Sequence, residues 1–201
     1  TGSHNPPQYN GIKMLIAGNT LYGDGIKALY QSIVDNKLAT GEGSYREQEV
    51  LSDYVERIIS DIKLARPMRV ALDCGNGAAG VCATELFTKL GCEVTELFCD
   101  VDGNFPNHHP DPSRPENLKD IMKAVKDNNL DLGLAFDGDG DRVGVIDDTQ
   151  NVIWADRQMM LYAADVLKRK PGAQIIFDIK SSNNLAKLIA ELGVDQLKRK
   201  T

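Results

Sequence analysis

The sequence predicts an α/β protein of consecutive layered domains, with largely parallel mixed sheets. Three observations carry this reading. Short apolar runs of strand length alternate with helical periodicities from residue 12 to residue 192. The turns between them are marked by Gly, Pro and Asn clusters, and the cycle of strand and helix restarts after residue 148.

Taken in order, residues 12–17 form an apolar run that predicts a strand. In residues 24–34 Ile26, Leu29, Tyr30 and Ile33 recur at helical spacing. Residues 35–44 are polar with two glycines and suit a linker, so a boundary is placed there. Residues 47–65 carry Val50, Leu51, Tyr54, Ile58, Ile59 and Ile62, an amphipathic helix ended by Pro67. A buried strand at 68–72 runs into Gly75-Asn76-Gly77, followed by a helix at 79–90 and a strand at 93–98. A long Pro/Asn/His loop leads to Pro115 and a helix at 118–128. Strands at 132–136 and 143–146 flank an acidic loop. Then come a helix at 157–168, a strand at 174–177 and a helix at 184–192. The expected division is 1–44, 45–150 and 151–201. The last stretch is too short to close a core of its own, and the chain opens abruptly on Thr1-Gly2-Ser3-His4-Asn5-Pro6-Pro7, so it is expected to be part of something longer.

Bulk properties narrow the function. With 201 residues and 42% hydrophobic composition the chain can bury one or two cores. A formal charge of −6 argues against non-specific nucleic-acid binding. The run Lys198-Arg199-Lys200 is read as a solvated tail. There is no apolar stretch of about 18 residues and no signal peptide in the sequence given, so a soluble cytoplasmic protein is expected, with no membrane partner. Cys74, Cys82, Cys92 and Cys99 include no C-x-x-C pair and are read as reduced core residues.

The strongest chemical signal is Asp137-Gly138-Asp139-Gly140-Asp141-Arg142. Carboxylates at alternate positions converge only where intervening residues let the backbone turn tightly, which glycine does. Three carboxylates without a nearby His or Cys form a hard oxygen site suited to magnesium or calcium. An EF-hand would match Asp137, Asp139, Asp141 and Asp148. It fails because Arg142 stands where the sharp turn needs glycine, and because apolar strands flank the loop where an EF-hand has helices. Arg142 offers a bidentate fork for phosphate, so the loop points to phosphoryl chemistry.

Ser3 lies in a loop stiffened by Pro6-Pro7, a reasonable nucleophile or phosphate carrier, although the same residues also make an ordinary turn. A Ser-His-Asp hydrolase is a poor reading because no G-x-S-x-G elbow is present. His108 and His109 are adjacent on an extended segment and would point opposite ways, so they are read as loop structure and not as a metal pair. Gly75-Asn76-Gly77 lacks the full spacing of a dinucleotide loop and is read as a tight turn.

Three stretches together, Thr1-Gly2-Ser3-His4-Asn5-Pro6, the Asp137 to Arg142 loop and Gly103-Asn104-Phe105-Pro106-Asn107-His108-His109-Pro110-Asp111-Pro112, resemble the phosphomannomutase/phosphoglucomutase branch of the α-D-phosphohexomutases. The resemblance runs across essentially the whole chain. It implies an isomerase that interconverts hexose 6-phosphate and hexose 1-phosphate through a phosphoserine and a hexose 1,6-bisphosphate. It also implies four domains around one cleft, of which residues 1–44 would end the first, 45–150 form the second and 151–201 begin the third. By the same resemblance Ser3 would be the phosphorylated nucleophile, with His4 and Lys13 beside the chemistry. Asn5, Arg142 and Lys180 would contact phosphate or substrate. Mg2+ would be held by Asp137, Asp139, Asp141 and a phosphoserine oxygen on Ser3, with glucose 1,6-bisphosphate as activator. The family's Gly-Glu-x-Ser-Gly-His sugar-recognition pattern is absent from the sequence, so the chain by itself is expected to bind metal weakly, turn over little, and depend on the remaining domains as partners. The rival readings are a phosphohexosamine mutase, a magnesium-dependent phosphatase with a carboxylate nucleophile, and a non-catalytic metal-binding module.

Overall fold

The computed structural model describes residues 8–9, 11–193 and 196–199. Its N-terminal part departs from the expected strand at 12–17. Ala17 and Gly18 both adopt positive φ, at 48° and 80°, which folds the chain back so that β1 (Leu15–Ile16) pairs antiparallel with β2 (Asn19–Thr20). An apolar run that stays exposed cannot be told from a buried strand by sequence pattern alone. Helix α1 (Asp24–Val34) follows as expected.

Helix α2 (Leu51–Asp61) is shorter than the periodicity suggested, starting where the Leu51 N–H donates to the Glu49 carboxylate at 2.7 Å. Ile62 leaves the helix in an extended conformation. Pro67 then keeps Arg66 out of helical conformation.

Strand β3 (Arg69–Asp73) is buried over four of its five residues, the pattern of a strand covered on both faces. The predicted helix at 79–90 divides into a 3-10 turn (Ala78–Val81) and α3 (Ala83–Lys89). A Cβ on Gly80 would lie 2.0 Å from the Cys99 carbonyl oxygen, so the first turn is pressed against a distant loop and cannot run straight into the helix. Strand β4 (Glu93–Leu97), α4 (Lys119–Asp127), β5 (Leu132–Phe136) and β6 (Val143–Asp147) follow the sequence reading closely. Strand β7 (Val152–Ile153), only two residues long, was not anticipated.

These strands make one sheet in the order β4-β3-β5-β6-β7, parallel across β4, β3 and β5 and antiparallel beyond. Helix α4 covers one face, with Ile121 and Val125 packed on Ala71, Ala135 and Ile146. A Cβ on Gly133 would come within 2.9 Å of Val125 Cγ2, so the glycine lets α4 settle directly onto β5. The other face buries Val70, Leu72, Cys74, Ala83 and Cys92, with Phe87 against them. The result is an α/β/α sandwich with its loops leaving the sheet edge beside Asp73, Leu97 and Phe136.

Helix α5 (Ala155–Arg169), β8 (Ile175–Asp178) and α6 (Asn183–Glu191) enclose a second core of Ala163, Leu167, Ile175, Phe177, Leu185 and Ile189. Residues 196–199, which include Lys198 and Arg199 of the expected solvated tail, form β9 (Gln196–Arg199), parallel to β8. The buried Gln158 side chain of α5 donates to the Ile153 carbonyl at 2.7 Å and ties this unit to β7. Among the described residues no helix is long and apolar enough to cross a membrane.

Candidate metal and phosphate site

Residues 137–142 connect β5 to β6. Gly140, at φ 74°, closes the turn by donating its N–H to the Asp137 carbonyl at 3.0 Å. Asp137 is fully buried. Its carboxylate accepts the Arg142 backbone N–H at 2.9 Å and Arg142 Nε at 2.7 Å. Asp139 and Asp141 are exposed, and one oxygen from each of the three carboxylates lies within 4.8 Å of the others. The negative charges of Asp137 and then Asp139 push the Asp141 carboxyl above its usual range. Asp137 in turn raises the Arg142 guanidinium further above its already high value. Three hard oxygen donors converging on one point fit a divalent cation, whose charge would relieve this repulsion.

The loop is held from below by the turn after β3. The Ala78 N–H donates to the Gly138 carbonyl at 2.9 Å, and a Cβ on Gly77 would sit 2.8 Å from that same oxygen. The turn is fixed in its own right, with Gly75 and Asn76 at φ 50° and 59°. The Asn76 side chain donates to the Asp100 carbonyl at 2.7 Å and accepts from Asn107 Nδ2 at 2.8 Å, so the buried amide clasps the loop that follows β4.

That loop carries His108, whose Nε2 meets both oxygens of fully buried Asp73 at 3.0 and 3.1 Å. The Asp73 carboxylate also accepts the Gly75 N–H at 2.9 Å. Asp73 raises the His108 pKa against the opposing effect of burial. His109 is exposed and its ring meets Phe105 edge-on, so the two neighbouring histidines do separate work. Further along the loop, Asp111 lies 3.9 Å from Arg142 Nη1.

Of the residues proposed from sequence, the structure brings Asp137, Asp139, Asp141 and Arg142 together. Lys13 is exposed just before β1. Lys180 is exposed after β8, 3.7 Å from Asp178. Neither lysine belongs to the cluster. Ser3, His4 and Asn5 lie outside the described residues. Sequence reasoning missed Asp73, Asn76 and Asp111 as supports. The available signal was Asp73 itself, a carboxylate at the end of an apolar strand that needs a buried partner.

A sandwich that presents a carboxylate-lined loop, stapled to the first strand-to-helix turn, defines the class as an α/β/α domain with an acidic loop at its strand edge. Residues 52–150 match the family described as phosphoglucomutase/phosphomannomutase, alpha/beta/alpha domain II. The phosphomannomutase/phosphoglucomutase of Pseudomonas aeruginosa is 56% identical over 193 residues, 96% of this chain and 42% of that protein. The phosphoglucomutase of Neisseria gonorrhoeae is 51% identical over 203 residues, 100% of this chain and 44% of that protein. A crystal structure of a phosphoglucomutase/phosphomannomutase family protein from Burkholderia thailandensis superposes with a TM-score of 0.92 at 55% identity, covering 98% of this chain and 43% of that one. The chain belongs to the phosphoglucomutase/phosphomannomutase family, and it spans a little over two fifths of the length of these relatives.

Proposed function

We propose that this chain supplies the phosphoserine and metal-binding parts of a cytoplasmic phosphohexomutase acting on mannose or glucose phosphates. The observation that carries the reading is the convergence of Asp137, Asp139 and Asp141 within 4.8 Å beside the Arg142 guanidinium. In this reading Asp137, Asp139 and Asp141, joined by a phosphate oxygen on Ser3, hold Mg2+, which when bound offsets negative charge on the transferring phosphoryl group. The phosphoryl group passes from Ser3 Oγ to the free hydroxyl of a hexose monophosphate: the bond between phosphorus and Oγ breaks, a new one to the sugar oxygen forms, and the hydroxyl proton ends on Ser3. The hexose 1,6-bisphosphate turns within the cleft and returns its other phosphate to Ser3. His4 and Asn5 shape the serine loop. Lys13, Arg142 and Lys180 contribute positive charge to phosphate binding and orientation, the main sources of catalysis in phosphoryl transfer. Asp137 serves the same end by accepting one hydrogen bond from the Arg142 guanidinium and one from its backbone N–H. Domains beyond this chain complete the cleft.

The test is to incubate the full-length protein with glucose 1,6-bisphosphate and Mg2+, then map phosphate by intact mass and peptide analysis in wild type and Ser3→Ala. Phosphate on Ser3 that disappears in the variant supports the mutase. Phosphate on an aspartate would favour a phosphatase, and none at all a binding module; either result overturns the reading.

A further inference from the structure

Away from the acidic loop, two thiols face each other at the ends of neighbouring parallel strands. Cys74 follows β3 and is fully buried; Cys99 follows β4 and is half-buried; their sulfur atoms lie 3.3 Å apart with no bond between them. The backbone holds them there. The Cys74 N–H donates to the Leu97 carbonyl at 3.1 Å, the positive φ of Phe98, 53°, kinks the chain just before Cys99, and Gly80 presses on the Cys99 carbonyl. A disulfide requires the sulfurs to close to about 2.05 Å, a movement of roughly 1.2 Å.

We propose that Cys99 and Cys74 form a peroxide-responsive dithiol, in which Cys99 is oxidised by hydrogen peroxide and Cys74 resolves it to a disulfide joining the ends of β3 and β4. The Cys99 thiolate attacks one peroxide oxygen, the O–O bond breaks, and hydroxide leaves and takes up the proton that Cys99 had released. Cys99 is then a sulfenic acid. The Cys74 sulfur displaces its hydroxyl as water, carrying away the Cys74 proton, so one hydrogen peroxide oxidises two thiols and two waters form.

The environments assign the roles. Cys99 Sγ faces Cys74 Sγ at 3.3 Å and accepts from Thr84 Oγ1 at 3.9 Å; the pairing with Cys74 lowers the Cys99 pKa to about 7, while the pairing and burial push Cys74 well up. Burial raises Cys82 and Cys92 as well. Hydrogen peroxide is small enough to reach a half-buried sulfur.

The experiment treats the 201-residue chain with hydrogen peroxide at pH 7, quenches with acid, unfolds it, alkylates the remaining thiols and maps the peptides. Wild type is expected to protect two of its four thiols and to give a Cys74–Cys99 cross-linked peptide that dithiothreitol releases. Cys99→Ser should alkylate at all remaining cysteines. Cys74→Ser should accumulate a sulfenic acid on Cys99 that dimedone traps. Cys82→Ser and Cys92→Ser should keep the cross-link, which guards against misreading an unfolded variant. Oxidation of Cys82 or Cys92 at a rate equal to or above that of Cys99, or a cross-link lost in Cys82→Ser or Cys92→Ser, overturns the proposal.

Discussion

Removing the His108 imidazole should weaken the sandwich more than any other single change in the loop after β4. The Asp73 carboxylate is fully buried and would be left with one donor, the Gly75 N–H. Breaking a buried charge pair by deleting one partner costs about 3–5 kcal/mol. The surviving Gly75 bond lowers that figure. The lost edge-on contact between His108 and Phe98, at 5.3 Å between ring centroids, adds roughly 0.5–1.5 kcal/mol. A net loss of about 3 kcal/mol for His108→Ala corresponds to a Tm fall of roughly 6–12 °C in a chain of this size. The sign with pH follows from the direction of the shift. Because Asp73 raises the folded pKa of His108, the pair's contribution is full below the unfolded imidazole value near 6.5 and is lost as pH rises through the folded value. The gap between wild type and His108→Ala should therefore be wider at about pH 6 than at about pH 9. Thermal unfolding followed by circular dichroism at both pH values provides the measurement, with His109→Ala as control, expected within about 0.5 kcal/mol of wild type. A His108→Ala protein as stable as wild type at pH 6, or a gap that widens with pH, would refute the reasoning.

Gly77 has φ −88°, which alanine tolerates, so Gly77→Ala would stabilise by about 0.4–1 kcal/mol if only unfolded-state entropy mattered. Crowding of the Gly138 carbonyl should instead give a net loss of about 1–2 kcal/mol in urea unfolding, and a gain would show that the two loops are not pressed together. On the proposed function, Mg2+ at ten times its Kd should stabilise the wild-type chain by about 1.4 kcal/mol. That increment should vanish in Asp139→Asn when followed by thermal shift, and its survival would remove Asp139 from the ligand set. Gln158→Met leaves the Ile153 carbonyl without its side-chain donor and should cost about 1–2 kcal/mol, read as faster hydrogen exchange across β7 and the start of α5.

Burial decides which parts of this fold are legible in the sequence. Strands β3, β5 and β6 and helix α4 show their periodicity because each packs against the same core, and the apolar positions recorded in the sequence are those that meet. The run at 12–17 looks equally apolar, yet Leu15 and Ile16 are exposed and only two residues pair. The break between the 3-10 turn and α3 is invisible locally, since its cause is the approach of Cys99 to Gly80. The acidic loop announces its three carboxylates through their spacing. Nothing in that spacing tells that Asp137 is buried and bound to Arg142 while Asp139 and Asp141 face outward. Asp73 and Asn76 escaped notice for a related reason: their partners, His108, Asn107 and Asp100, come from a loop whose path only the tertiary structure reveals.

The staple between Ala78 and Gly138 divides responsibility within the chain. Both halves of that contact, and the Arg142 bonds that orient Asp137, come from residues 77–142. The lysines assigned to phosphate, Lys13 and Lys180, stand on elements outside that span. On the proposed function, a small change under the loop, such as a methyl at position 77, would alter how an ion and the Arg142 fork are held while leaving Lys13 and Lys180 in place.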